Sequence, residues 1–170
     1  MIIVPTIRNT GSHFVLKLLG KQPPFGPEVL TWRTLDRMQP DSIIFDHVAE
    51  EKKHLYLPLI RDNLTIIPLR HPYLTQKSWA DRNHHDMSFM WDIMATDIAP
   101  LDPFFLPLDV PDRQDYLDRL NEATGLGLKT DWKPEGVKKN NFDLRYTDVE
   151  PNQRTVALCE RIRPFLDRFY

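Results

Sequence analysis

A single cysteine, Cys159, in 170 residues excludes an internal disulfide. A lone thiol fits a reducing compartment, and its place in a helical pattern suits a small buried hydrophobe. No apolar run approaches the roughly 18 residues of a membrane-spanning helix, and the first residues enter a strand without a basic leader. A cytoplasmic protein with no membrane partner is expected. The formal net charge of -2 gives no general attraction to nucleic acid, so no nucleic-acid partner is expected either. Also missing is the Gly, four residues, Gly-Lys-Ser/Thr of ordinary nucleotide triphosphatases, in which the Lys reaches the outer phosphates and the hydroxyl holds magnesium. That absence argues against an ATPase or GTPase and towards another phosphate-bearing ligand.

What is present is ordinary for a soluble globular chain: 41% hydrophobic and 27% charged residues, with 15 prolines that suggest long but ordered connections. One domain over residues 1–170 is expected, large enough to bury roughly two thirds of the surface its unfolded state exposes. Apolar runs at Ile2 to Pro5, Ser42 to His47, Leu64 to Leu69 and Phe104 to Leu108 read as strands. Helical patterns follow from Gly11 or Ser12 through Leu19, at 50 to 62 with an interruption at Pro58, from Pro72 through Trp79, within 84 to 103, at Asp112 to Thr124, and from about Pro151 to Phe169. This alternation predicts an α/β, three-layer fold with a central, mostly parallel sheet whose ligands gather at the carboxyl ends of the strands.

Three candidate sites fall at such ends. Arg8-Asn9-Thr10-Gly11-Ser12-His13 forms a small-residue turn between a strand and a helix. The first helical amides lack internal partners and carry partial positive charge, which favours an anion. Thr10 and Ser12 are equally suited to capping a structural helix. Asp46-His47 ends a second strand. Arg70 ends a third, with Ser78 eight residues later. An Arg fork and a hydroxyl two turns along the next helix can converge on one phosphate, although Arg70 in a structural ion pair and Ser78 as a solvated helix residue fit the same pattern.

In this order the elements resemble the sulfotransferases that use 3'-phosphoadenosine-5'-phosphosulfate (PAPS), and the resemblance covers most of the chain. Arg8 to His13 is similar to the family's Pro-Lys/Arg-Ser-Gly-Thr-Thr loop, Phe45-Asp46-His47 to Lys-Thr-His, and Arg70-His71-Pro72 with Ser78 to Arg-Asn-Pro with its serine. The stretch from Phe105 through Asp109 to Gly125-Leu126 resembles the later strand, acidic residue and helix. Val137-Lys138-Lys139-Asn140 resembles the basic Arg-Lys-Gly loop.

The resemblance implies a P-loop-like sulfotransferase fold and transfer of a sulfuryl group from PAPS to a small-molecule acceptor, leaving 3',5'-adenosine bisphosphate. It implies His47 as general base and Arg8 as the charge facing the leaving phosphate. Arg8, Asn9, Thr10, Gly11, Ser12 and His13 would hold the 5'-phosphosulfate, Arg70 and Ser78 the 3'-phosphate, Lys138 and Lys139 the closing loop. Phe14 would stack on adenine, although its apolar helix face suits core packing as well. No metal is required, and His84-His85-Asp86 lacks ligand spacing. Departures are Asn9 at the loop cation, with Arg8 one position early, Phe45 for Lys, His71 for Asn and Asn140 for Gly. Asn9 and Phe45 favour the alternative of a noncatalytic nucleotide or sulfated-ligand binder. A small-molecule kinase using ATP is disfavoured by the missing Gly-Lys-Ser/Thr.

Overall fold

The strands alternate between two cores, and this fixes the architecture. In the computed structural model, which describes residues 1–21, 25–80, 88–128 and 145–170, β1 (Ile2–Thr6), β2 (Val29–Leu30), β3 (Ile43–His47), β4 (Leu64–Leu69) and β5 (Phe104–Pro107) form one all-parallel sheet in the order β2-β3-β1-β4-β5. Ile3, Ile44, Ile67 and Phe105 enter one apolar cluster. Their neighbours Val4, Ile43, Ile66 and Leu106 enter the other. Side chains alternate across a strand, so a sheet apolar on both faces must be covered on both.

The first cluster is closed by α2 (Lys53–Asp62), α3 (Pro72–Ala80), α4 (Ser88–Ile93), α6 (Gln153–Arg161) and α7 (Arg163–Leu166), through Tyr56, Ile60, Trp79, Trp91, Leu158 and Phe165. The second is closed by α1 (Ser12–Leu18) and α5 (Arg113–Thr124), through Phe14, Val15, Leu16, Leu117 and Leu120. The α/β, three-layer expectation is met. No helix among the described residues is long and apolar enough to cross a membrane.

Several boundaries differ from the sequence reading. Pro58 does not interrupt α2: Pro58 and His54, whose carbonyl loses its partner, both lie on the exposed face, where water replaces the missing donor. The last helix is two helices, because Pro164 lacks an N–H and a new turn starts after Ile162. Its buried line is Thr155, Leu158, Ile162, Phe165 and Leu166, while Val156 and Cys159 are only partly covered. The 84–103 helix begins at Ser88 within the described residues and passes into a π-helical turn at Met94–Ile98. α5 stops at Gly125, which is left-handed with φ of 66°, as expected.

The sheet order makes β1 the switch point. The connection leaving β1 runs through α1 to the β2 edge, and the one leaving β4 runs through α3 towards β5, so the carboxyl ends of β1 and β4 border the crevice where such sheets hold ligands. The paired register of these strands covers Ile2↔Leu64 and Ile3↔Thr65. Pro5 and Pro68 each remove a donor beyond it.

Candidate functional site

Four strand ends meet at one edge of the sheet. Thr6 of β1 is level with His47 of β3. β1 and β4 are neighbours in the sheet, so the turn that carries Arg8 and the β4 end that carries Arg70 leave adjacent strands. Leu108 N–H donates to the Leu69 carbonyl at 3.0 Å, which carries the β5 end alongside.

The turn after β1 is shaped by its own polar groups. The Thr10 hydroxyl donates to the Ile7 carbonyl at 2.7 Å, and Asn9 and Gly11 take positive φ of 66° and 99°, a geometry suited to glycine and tolerated by asparagine. Neither Thr10 nor Ser12 caps α1: Gly11 occupies the cap position, with no side-chain hydrogen bond there. The capping alternative from the sequence therefore does not hold. The Trp79 indole N–H of α3 donates to the Arg8 carbonyl at 3.1 Å. This bond ties the helix carrying Ser78 to the loop after β1. Arg8 is half-buried, and its Nε is enclosed without a hydrogen bond among the described residues.

His47 stands beside this loop. Its Nδ1 lies 2.8 Å from the Thr6 hydroxyl, and its carbonyl accepts the Trp32 indole N–H at 3.0 Å. Burial first, and then the Arg8 charge, hold the imidazole below its ordinary pKa, against the opposing effects of Asp46 and a hydrogen bond with the Thr6 main chain. A half-buried ring that is neutral at pH 7 can accept a proton. Asp46 serves a different purpose: its carboxylate accepts the Trp32 N–H at 3.1 Å and the His47 N–H at 2.8 Å, with Lys52 at 3.9 Å. It holds main chain in place, on the face of the strand opposite to His47.

One sequence assignment in the loop changes. Phe14 is 3% exposed and belongs to the core cluster of Val4, Ile66 and Leu106, so its ring packs against the sheet instead of offering a face to a base. His13 is exposed and edge-on to Phe25 and Phe45, at 5.4 and 6.1 Å between ring centres. Its ring belongs to an aromatic group beside His47, since Phe45 and His47 are also edge-on at 6.3 Å.

The β4 end is built differently. Arg70 is 5% exposed. Asp109, just past β5, accepts the His71 N–H at 2.7 Å and the Tyr170 hydroxyl at 2.8 Å. Burial raises the Asp109 carboxyl above its ordinary pKa, opposed by these two bonds and by the Arg70 charge. His71 accepts the Tyr73 N–H at Nδ1, 3.2 Å away, and stacks on Tyr146 with ring centres 4.1 Å apart. Burial lowers its pKa to about 4. Ser78 is half-buried on α3, within a helix that begins at Pro72 as the sequence predicts.

The strand ends thus bring together Arg8, Asn9, Thr10, Gly11, Ser12, His47 and Arg70, with α3 bound to the same loop. Lys138, Lys139 and the His84-His85-Asp86 stretch lie outside the described residues. Among the described residues no group of three His, Cys, Asp or Glu is arranged to hold a metal. Sequence reasoning missed Thr6 and Trp79. Thr6 carries a signal only in retrospect, as the polar end of an apolar strand; the Trp79 bond spans 71 residues and has no local signal. Compared with family models, curated proteins and solved structures, the chain finds no match.

Proposed function

We propose that this protein is a PAPS-dependent sulfotransferase acting on a hydroxyl or amine of a small-molecule acceptor. One observation carries the reading: the Arg8–Ser12 turn and Arg70 leave neighbouring strands at the same sheet edge, with His47 on the other side of β1. A nucleotide phosphorylated at both ends needs two separated anion seats. The Arg8 Nε, without a hydrogen bond among the described residues, fits a donor kept for an anionic oxygen.

When bound, PAPS supplies an electrophilic sulfur on a good leaving group. Main-chain amides from Gly11 onward and Arg8 would hold the 5'-phosphosulfate and balance the charge gathering on the leaving phosphate. Arg70 and Ser78 would hold the 3'-phosphate. His47 takes the acceptor's proton as its oxygen or nitrogen bonds to sulfur and the sulfur–oxygen bond to the bisphosphate breaks.

A binder without turnover is the second reading, favoured by Phe45, an aromatic ring beside His47 where the resemblance has a lysine. Thermal-shift titrations with PAPS, 3',5'-adenosine bisphosphate, ATP and ADP test the first step. Preference for ligands with a 3'-phosphate supports the reading, and preference for ATP rejects it. Release of bisphosphate in the presence of acceptors then separates enzyme from binder.

A further inference from the structure

A neutral imidazole can serve as a base only through the nitrogen that lacks a hydrogen, so the chemistry at His47 depends on which nitrogen that is. Thr6 holds the answer. Its hydroxyl lies 2.8 Å from His47 Nδ1 and 3.4 Å from the Asp46 carbonyl oxygen. A carbonyl oxygen only accepts. Both contacts can be hydrogen bonds at once only when the single hydroxyl hydrogen is directed to Asp46 and Oγ1 turns a lone pair to an Nδ1 that donates. Thr6 is fully buried and fixed by the β1–β3 register.

We propose that Thr6 is a positioning residue that fixes neutral His47 as its Nδ1–H tautomer and leaves the Nε2 lone pair for the acceptor's proton. The second half rests on the sulfuryl-transfer reading, and the first does not. The other groups that influence this ring are Arg8 on the turn, His13 on α1, and Asp46 of β3 with its partner Lys52. They act on the charge of the ring, whereas Thr6 acts on which nitrogen keeps the hydrogen once the ring is neutral.

The test is two-bond nitrogen–proton NMR of the full chain labelled with 15N-histidine at pH 7.5, with the His47 signals assigned from His47→Gln. The wild type is expected to show Nδ1–H, with Nε2 unprotonated. Thr6→Val keeps the shape and removes the hydroxyl, so the population should move towards Nε2–H; Thr6→Ser should keep the wild-type pattern. An Nε2–H wild type, or a Thr6→Val tautomer identical to the wild type, overturns the assignment, and the wild-type measurement decides even if Thr6→Val does not fold. Where turnover is observed, Thr6→Val should lower kcat by at least about tenfold with KM little changed, and Thr6→Ser should restore it. An Nδ1–H ring in a protein that releases no bisphosphate with any acceptor defeats the transfer reading and supports the Thr6 assignment.

Discussion

Two histidines stand at strand ends on the same edge of this sheet, and burial lowers the pKa of both, yet their surroundings differ. His71 is 6% exposed, its Nδ1 accepts the Tyr73 N–H, and its ring is enclosed by Tyr73, Tyr146 and Tyr170. Its main-chain N–H is taken by Asp109, which also takes the Tyr170 hydroxyl. His47 is half-buried, with one nitrogen on Thr6 and a cation, Arg8, among its neighbours. A depressed pKa alone would rank His71 as the more unusual group. Geometry reverses the ranking, because a ring walled in by tyrosines leaves no room for an acceptor, whereas His47 is half-open beside a half-buried arginine.

The largest expected effect tests that reversal directly. His47→Ala should reduce bisphosphate release about a thousandfold while leaving the affinity for 3',5'-adenosine bisphosphate largely intact. His71→Asn should lower turnover by less than about tenfold. Steady-state kinetics paired with calorimetric titration of the bisphosphate check both. Full turnover in His47→Ala would remove it as the base, and a larger loss in His71→Asn would place the wrong histidine at the centre.

Stability should respond in the opposite sense. The His71 pKa falls from 6.5 to about 4 on folding, so the stabilisation of its neutral form is fully present above about pH 6.5. It is lost as the pH falls towards 4, about 3 kcal/mol in all. Asparagine offers Oδ1 to the Tyr73 N–H and does not titrate, so His71→Asn should flatten that decline. Urea denaturation at pH 7.5 and 4.5 for both proteins gives the comparison. The difference between them matters more than either curve, since Asp109, with its raised carboxyl pKa, works against the acid loss.

The chain itself announces much of this arrangement but not all. β1, β3, β4 and β5 are legible because each is a short apolar run buried on both faces. β2 is only two residues long and gives no pattern. The Arg8 turn, His47 and Arg70 are legible because strand ends in an α/β sheet are where polar residues interrupt apolar ones. Phe14 misleads for a plain reason: an aromatic next to a glycine turn and an aromatic on a helix's inner face are the same residue until the helix is placed. The division of the last helix was within reach, since Pro164 lies inside the run, but Pro58 lies inside another and is tolerated. Water reaches both runs, since Pro58, His54, Pro164 and Glu160 are all exposed, so neither periodicity nor exposure says which proline divides a helix. Contacts such as Thr6 with His47 and Trp79 with Arg8 join residues 41 and 71 apart, so no local pattern holds them.

Smaller changes sharpen the contrast between the turn after β1 and its surroundings. Gly11→Ala places a Cβ at φ of 99°, against the Leu108 side chain. It should destabilise the protein by about 1–3 kcal/mol, read by thermal unfolding, and weaken the 5' seat more than the 3' seat. Adenosine 5'-phosphosulfate and adenosine 3'-monophosphate as separate probes distinguish the two. Equal weakening of both would mean that the turn serves the fold alone.

Trp79→Phe is the mildest change and the most specific. Trp79 is 5% exposed, belongs to the core beneath α3, and donates its indole N–H to the Arg8 carbonyl. Phenylalanine keeps most of the apolar contact and removes that donor, so the expected loss in stability is only about 1 kcal/mol. The bond, however, is what holds the turn after β1 against the helix that follows Arg70. If both strand ends grip one nucleotide, loosening that tie should reduce affinity for 3',5'-adenosine bisphosphate several-fold while leaving affinity for either monophosphate nearly unchanged. The two-ended ligand alone requires the seats to keep their spacing. A uniform loss across all three ligands would show that Trp79 supports a single seat, and the bridging arrangement would then have to be abandoned.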